Sequence, residues 1–287
     1  MAKVTIEKAG ELGFCFGVRR AIRIIEEAAS KHNCILSIGA IVHNRLVVER
    51  LTGLGIKVVD SINDVPNDVA VTIPSHGVPR VILTELQSRG LKVIDATCPT
   101  VSRAQKAVKR LADSGLGVVI FGDAGHPEVR GLLGWAGDRA VATMDAGVVA
   151  GAKLGNRLGV VAQTTQSLAK FNEFVGLLLS SVGPHVQEVR IINTLCQKTQ
   201  QRQDAAVELA RRSDLMIVVG GRNSANTRRL AEVCSAVVET YLIEAADELD
   251  SSWLEGKKHI GITAGASTPE DTVDEVVAWL RNMTRGG

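Results

Sequence analysis

At 287 residues the chain can form one large domain or two to three small ones, with a sizeable core. Apolar residues make up 45% and charged residues 22%, which is typical of a globular protein and argues against disorder. The net charge of +2 and an aromatic content of 3% give no sign of a nucleic-acid or membrane-surface partner.

The N-terminal segment and the cysteine content both favour a cytoplasmic protein. Lys3, Glu7 and Lys8 lie where a signal peptide would carry its apolar core, and no apolar run approaches the ~20 residues that span a bilayer. Five cysteines without close pairs argue against a disulfide framework in a reducing compartment. We therefore expect thiols with a function here to be metal ligands or nucleophiles.

Short runs rich in Val, Ile and Leu alternate with amphipathic segments along the chain, which predicts α/β architecture with parallel sheets. The predicted strands are 34–41, 56–59, 69–73, 91–94, 117–121, 140–142, 157–162, 186–192, 215–220, 236–240 and 259–263. The predicted helices are 19–29, 44–54, 78–89, 102–114, 199–212, 227–235 and 268–282.

Three cysteines occupy equivalent places in this alternation, each just before a predicted helix. They are Cys15, Cys98 and Cys196. Each is followed three residues later by a β-branched residue and five or six residues later by an arginine. The arginines are Arg20, Arg103 and Arg202. Twenty-eight residues after each cysteine the chain reaches a polar loop, and these loops contain His43, His126 and Ser224.

These intervals predict an internal repeat of three similar αβ units. The expected boundaries are 14–96, 97–194 and 195–287, with 1–13 packed on the third unit. A second polar loop follows in each unit, and these loops contain His76, Thr164 and Ser267. Because parallel sheets bind ligands beyond the carboxyl ends of their strands, three such ends on a common axis would converge on one central pocket.

The three repeated cysteines favour metal ligation, whereas Cys34 and Cys234 are interpreted as buried apolar residues. Structural zinc sites have four ligands and use short Cys-x-x-Cys pairs, and this chain has none. Three thiolates from separate units suit a cubane iron–sulfur cluster better. One iron would then lack a protein ligand and could act as a Lewis acid for a substrate oxygen.

The polar loops carry groups suited to an anionic or metal-bound ligand. Histidines in equivalent loops favour such a ligand over ordinary surface residues. Glu128, two residues after His126, would be a proton donor with a raised pKa if it lay in a pocket. The neutral donors of Thr164, Ser224, Asn226 and Ser267 can bind a diphosphate together with helix N-termini, although helix capping is their ordinary role.

In combination, these motifs resemble the 4-hydroxy-3-methylbut-2-enyl diphosphate reductase family, the LytB-type enzymes that end the non-mevalonate isoprenoid pathway. The resemblance covers nearly the whole chain. The stretches that carry it are 13–18, 42–44, 75–77, 95–99, 125–128, 163–165, 193–196, 223–226 and 265–267. Each motif is weak alone, but nine in the same order are highly specific.

The resemblance implies a trefoil of three αβ units around one [4Fe-4S] cluster per chain, held by Cys15, Cys98 and Cys196. It implies that the allylic hydroxyl of the substrate binds the fourth iron and leaves as water, giving isopentenyl diphosphate and dimethylallyl diphosphate. Glu128 would deliver protons, assisted by His126 and Thr164, which also line the substrate. The other residues expected around the diphosphate are His43, His76, Ser224, Ala225, Asn226 and Ser267.

The family often has a serine where this chain has Ala225, so one hydroxyl is missing from that loop. The sequence has no Gly-rich dinucleotide fingerprint, and the resemblance implies reduced ferredoxin or flavodoxin as the electron donor. Two other readings stay open: a zinc- or iron-dependent hydrolase of a phosphorylated substrate, and a non-catalytic sensor that uses a cluster as a switch. Glu128 beside His126 and the open ligand position favour catalysis.

Overall fold

The computed structural model of the chain describes residues 4–285, which form twelve strands and ten α-helices. The strands are β1 (Thr5–Lys8), β2 (Ile35–Ile38), β3 (Ile56–Val59), β4 (Ala70–Ile73), β5 (Val93–Asp95), β6 (Gly117–Phe121), β7 (Ala140–Thr143), β8 (Arg157–Ala162), β9 (Glu188–Ile191), β10 (Leu215–Val219), β11 (Thr240–Ile243) and β12 (His259–Ala264). The helices are α1 (Phe16–Ala29), α2 (Arg45–Gly53), α3 (Arg80–Ser88), α4 (Pro99–Asp113), α5 (Pro127–Ala136), α6 (Ala146–Ala150), α7 (Leu168–Val182), α8 (Gln197–Ala210), α9 (Ala225–Ser235) and α10 (Glu270–Arg285).

The strands form three four-stranded sheets in which every pairing is parallel. Sheet 1 has the order β3-β2-β4-β5, sheet 2 the order β7-β6-β8-β9, and sheet 3 the order β1-β12-β10-β11. Parallel neighbours require crossover connections, which the intervening helices provide. The prediction of α/β architecture with three small parallel sheets is confirmed.

The central strands are buried on both faces, which explains their largely apolar sequences. In sheet 2, Val118 and Ile120 of β6 pack with α4 and α5, whereas Val119 and Phe121 pack with α6 and α7. Sheet 3 is built in the same way, with a core on the α10 face and another on the face of α8 and α9. In sheet 1, β2 and β4 pack against Leu86 of α3.

Contacts between Cα atoms divide the chain into two compact units. Within the described residues, unit 1 comprises 4–18, His43–Val48 and 197–285, and contains sheet 3. Unit 2 comprises Arg19–Val42 and Glu49–Cys196, and contains sheets 1 and 2. The boundaries at 14–96, 97–194 and 195–287 remain a prediction.

The predicted strand at 236–240 is wrong, because β11 begins only at Thr240. The residues before it form the turn that ends α9. The N–H groups of Val237 and Val238 both donate to the carbonyl of Cys234, at 2.8 and 3.0 Å. The apolar Ala-Val-Val run resembles a strand in sequence, but its backbone donors satisfy a helix end instead. The sequence patterns also missed β1, α5, α6 and α7.

None of the helices within residues 4–285 is long and apolar enough to cross a membrane.

Candidate active site

The three repeated cysteines occupy the same structural position, as residues directly preceding the helices α1, α4 and α8. The backbone N–H of each donates to a carbonyl in the loop after the neighbouring strand of one sheet. The bonds are Cys15 to Ala266 at 3.0 Å, Cys98 to Ser75 at 2.9 Å, and Cys196 to Thr164 at 2.9 Å. The N–H of each cysteine is therefore fixed at the carboxyl edge of a parallel sheet, where such sheets bind ligands.

Burial separates these thiols from Cys234 but not from Cys34. Cys34 is half-buried and packs against the core of sheet 1, so its interpretation as a buried residue is wrong. All five are free thiols, and Cys15, Cys98 and Cys196 are half-buried. The N–H of Val18 donates to the sulfur of Cys15 at 3.5 Å, and Cys98 is the N-cap of α4, where the helix dipole stabilises anions. Cys234 is fully buried, and burial raises its pKa to about 12, so it stays a neutral thiol.

A glycine is required ahead of Cys15 by the backbone conformation. Gly13 has a φ of +71°, and a Cβ built on it would lie 2.6 Å from Oε1 of Glu270. Any other residue would combine a strained left-handed backbone with a steric clash. The loop that presents Cys15 therefore depends on the first residue of its motif.

The donor set of the three loops fits an iron–sulfur cluster better than a closed zinc site, because the residues that repeat are three thiols without a repeated fourth ligand. Within residues 4–285, no three His, Cys, Asp or Glu side chains form a group that could hold a metal ion. The three-thiol ligand set therefore rests on the equivalence of the loops and stays a prediction.

Sheet 2 brings Glu128 and Thr164 together. Oε1 of Glu128 accepts the N–H of Thr164 at 2.7 Å, and Oε2 accepts the Thr164 hydroxyl at 2.9 Å. Glu128 is only 3% exposed. Burial raises the pKa of Glu128 to about 6, and the two bonds from Thr164 oppose that rise. The carboxyl can therefore gain and lose a proton close to neutral pH.

His126 is fixed at the start of α5, the helix that contains Glu128. It is the N-cap of α5, and its Nδ1 accepts the N–H of Glu128 at 3.1 Å. Because Nδ1 acts as an acceptor, a neutral His126 ring must carry its proton on Nε2. His126, Glu128 and Thr164, from the two polar loops of one predicted αβ unit, thus form one buried group within unit 2.

A second polar group lies in unit 1, after the strands β10 and β12. Ser224 caps α9 by accepting the N–H of Thr227 at 3.3 Å, and Ala225 is the first residue of that helix. The hydroxyl of Ser267 donates to the carbonyl of His43 at 3.4 Å. Asn226 is 5% exposed, yet its Oδ1 and Nδ2 have no hydrogen-bond partner among the described residues.

An unsatisfied buried amide is costly, so the arrangement of Asn226 points to an additional polar group that binds there.

The environment of His43 favours the neutral imidazole. Burial lowers the pKa of His43, and the positive charge of Arg228 lowers it further. A neutral ring can still donate one hydrogen bond to an anion. Arg228, on α9, is a cation that sequence reasoning missed, although its position two residues after Asn226 could have indicated it.

His76 differs from the other histidines because both of its ring nitrogens face backbone carbonyls. Nδ1 lies 3.0 Å from the oxygen of Gly77, and Nε2 lies 3.1 Å from the oxygen of Ala40. A neutral ring can donate to one of these carbonyls, whereas an imidazolium can donate to both. His76 therefore ties two loops of unit 2 together, and its contact with a ligand stays a prediction.

Comparisons with known proteins identify the family. Residues 6–281 match the LytB protein family. A 4-hydroxy-3-methylbut-2-enyl diphosphate reductase from Dehalococcoides mccartyi (strain ATCC BAA-2266 / KCTC 15142 / 195) is 48% identical over 98% of this chain and 99% of its own. The reductase of the same name from Geobacter sulfurreducens is 47% identical over 96% of both chains.

Solved structures agree with the sequence relatives. The E-1-hydroxy-2-methyl-but-2-enyl-4-diphosphate reductase from Plasmodium falciparum superposes with a TM-score of 0.90 at 28% identity, over 98% of this chain and 89% of the other. A structure of (E)-4-hydroxy-3-methyl-but-2-enyl diphosphate reductase gives 0.67 at 37% identity, over 98% and 100%. The chain thus belongs to the LytB protein family.

Proposed function

We propose that this chain is an iron–sulfur reductase that converts 4-hydroxy-3-methylbut-2-enyl diphosphate to isopentenyl diphosphate and dimethylallyl diphosphate. A connected series of hydrogen bonds in unit 2 is the main support for the proposal. Thr164 accepts the backbone N–H of Cys196 and donates two hydrogen bonds to Glu128. A loop that presents a thiol is thereby joined directly to a buried acid, which supports redox chemistry coupled to proton delivery.

Cys15, Cys98 and Cys196 would hold one [4Fe-4S] cluster per chain, in a trefoil of the three sheets. This assignment is supported by the position that the three cysteines share before a helix and by the backbone hydrogen bond that each of them makes. When bound, the cluster would supply electrons and a Lewis-acidic iron without a protein ligand. Free thiols are stable in a reducing compartment, which agrees with a cytoplasmic enzyme.

The reaction breaks the allylic C–O bond, consumes two electrons and two protons, forms a C–H bond and releases water. Glu128 would protonate the leaving hydroxyl, since its raised pKa provides a protonated fraction near neutral pH. The Thr164 hydroxyl, bonded to Oε2, would pass the proton on. His126 would orient the backbone of Glu128 through Nδ1 and offer its Nε2 proton to the substrate.

The diphosphate would bind mainly to neutral donors. Asn226 has a buried amide whose nitrogen lacks a partner among residues 4–285, and neutral His43 can donate one bond. Ser224, Ser267 and the backbone N–H groups at the start of α9 would complete the set, with Ala225 contributing backbone only. His76 is the remaining residue expected at the diphosphate, and its ring also contacts the carbonyls of Gly77 and Ala40 in unit 2.

A basic groove in unit 2 supports an acidic protein as electron donor. The groove, of about 660 Å³, is lined by five cations and two carboxylates. They are Arg20, Arg103, Lys106, Lys109, Arg110, Asp95 and Asp113. Pro99, next to Cys98, also lines it. A basic surface beside a ligand of the cluster would attract ferredoxin or flavodoxin. The interfaces of redox complexes are typically small, and their association depends on salt concentration.

Charge reversal tests the groove. Lys106→Glu should raise the KM for reduced flavodoxin about tenfold and weaken its dependence on salt, while turnover with reduced methyl viologen stays unchanged. Lys57→Glu, an exposed lysine on β3, is the matched control. Equal KM values for flavodoxin in the two variants would exclude the groove as the docking surface.

The function is tested by the anaerobic absorption spectrum, iron and sulfide content, and consumption of substrate with reductant. We expect a brown protein with a broad band near ~400 nm that reduces 4-hydroxy-3-methylbut-2-enyl diphosphate. A colourless zinc protein, or turnover without reductant, would favour the hydrolase. A brown protein inert to this substrate would favour the sensor.

A further inference from the structure

Three arginines make the same contact in three places. Arg20, Arg103 and Arg202 lie five, five and six residues after a repeated cysteine. Each guanidinium donates to a backbone carbonyl one or two residues ahead of another repeated cysteine. The bonds run from Arg20 to Thr97 at 3.1 Å, from Arg103 to Leu195 at 3.3 Å, and from Arg202 to Gly13 at 2.9 Å.

The direction of these bonds is cyclic along the chain. The helix after Cys15 holds the segment before Cys98, and the helix after Cys98 holds the segment before Cys196. The helix after Cys196 holds the segment before Cys15. The first two bonds lie within unit 2 and the third within unit 1. Ordinary helix surface arginines would not repeat one contact in this order.

Arg202 shows that the contact is more than incidental. It is only 3% exposed, and its second nitrogen, Nη1, donates to the carbonyl of Ala264 at 2.8 Å. A guanidinium keeps its positive charge at physiological pH, so these two bonds hold a buried cation against the segment that precedes Cys15 and the end of β12. A cluster held by three thiolates would supply negative charge near the guanidinium groups of these arginines.

We infer that Arg20, Arg103 and Arg202 are positioning residues for the iron–sulfur site, an inference that rests on the proposed function. Each fixes the backbone ahead of one cysteine, and together their charges favour the reduced, more negative form of the cluster. Hydrogen bonds and net charge around a cluster set its reduction potential. Loss of one arginine therefore loosens one cysteine loop and lowers the potential.

Arg103 is the best position for a test because it is exposed, so its replacement should not prevent folding. Arg103→Met removes the charge but keeps an apolar stem, and Arg103→Lys keeps the charge without the planar fork. Arg110→Met is the matched control. Arg110 lies on the same helix, but its Nε donates to Lys106 in its own helix and not to a segment beside a cysteine.

The experiment combines hydrogen exchange with potentiometry. In Arg103→Met, exchange in the peptide that contains Cys196 should be at least tenfold faster, and the reduction potential should shift to a more negative value. Arg103→Lys should restore the potential. Arg110→Met should match the wild type in the exchange of the Cys196 peptide and in the potential, because the Nε of Arg110 donates within its own helix. In Arg20→Met, the faster exchange should instead appear in the peptide that contains Cys98.

Wild-type exchange and wild-type potential in Arg103→Met would overturn the inference, as would equal effects in Arg110→Met. Substrate consumption by the wild type is measured in parallel. A wild-type protein that carries a cluster but does not consume the substrate would refute the proposed activity alone. Without a cluster, the exchange comparison still decides whether Arg103 holds the Cys196 loop.

Discussion

Glu128→Gln isolates the acid function of Glu128 with little change in shape. In the variant, the amide oxygen can still accept the N–H of Thr164, and the amide nitrogen can donate to the Thr164 hydroxyl. Both hydrogen bonds that position the side chain should therefore survive. Cluster content and substrate affinity should stay close to wild type, but the side chain no longer has a carboxyl proton to donate.

The magnitude follows from the pKa of Glu128, which burial raises from 4.5 to about 6. This shift corresponds to about 2 kcal/mol in favour of the protonated form. At pH 7 about one tenth of the Glu128 side chains would be protonated, roughly 30-fold more than for an ordinary carboxyl. Wild-type kcat should fall about tenfold per pH unit above this pKa, because the acid is lost.

The assay is anaerobic turnover with reduced methyl viologen between about pH 5 and pH 8.5. Glu128→Gln should reduce kcat by about 10²- to 10⁴-fold and abolish the fall above about pH 6. The control is Glu188→Gln on β9, where Arg157 and Arg190 hold the pKa of a half-buried carboxyl below its usual range. A wild-type rate, or an unchanged pH profile, in Glu128→Gln would refute the assignment.

The same shift predicts a pH dependence of stability with a definite sign. Because the pKa of Glu128 is raised in the folded state, its contribution to stability is fully present below about 4.5 and is lost as the pH rises through about 6. The free energy of unfolding should lose about 2 kcal/mol over this window relative to Glu128→Gln, measured by denaturant unfolding.

Replacement of Cys15, Cys98 or Cys196 by serine should remove most of the iron and sulfide from the protein. Cys34→Ser and Cys234→Ser should retain both, and metal and sulfide analysis measures the difference. Asn226→Leu should raise the KM for the diphosphate about tenfold without destabilising the fold, since it removes a buried amide that lacks partners. Thr263→Val, which removes another unpartnered buried hydroxyl within the described residues, should leave that KM unchanged. Ala225→Ser should lower the KM several-fold by adding a hydroxyl at the start of α9, and an unchanged KM would exclude that position from the diphosphate site.

The fold class could be predicted because buried parallel strands have an unmistakable sequence pattern. β6 and β10 are uninterrupted apolar runs, and both were predicted close to their observed bounds. β1 was missed because it is a half-exposed edge strand that carries Glu7 and Lys8. α7 was missed although Ser167 is its N-cap, because its Leu-rich sequence lacks a clear polar face.

The candidate site could be predicted only as a set of residues. The intervals marked Glu128 and Thr164 separately, but their pairing joins positions 36 residues apart. The raised pKa follows from burial, which no local pattern specifies. The arginine intervals were likewise visible, whereas their carbonyl partners lie 77, 92 and 189 residues away.

The pairing of β1 with β12 has a consequence for biosynthesis. Thr5 lies opposite His259, so β1 pairs with a strand that is synthesised about 250 residues later. The N–H of Cys15 is fixed by Ala266, which is synthesised later still. Contacts of such large sequence separation form slowly, because closing a long loop costs conformational entropy. The loop of Cys15 therefore acquires its native geometry only after Ala266 has been synthesised, and a cluster bound by Cys15 would be assembled after that step.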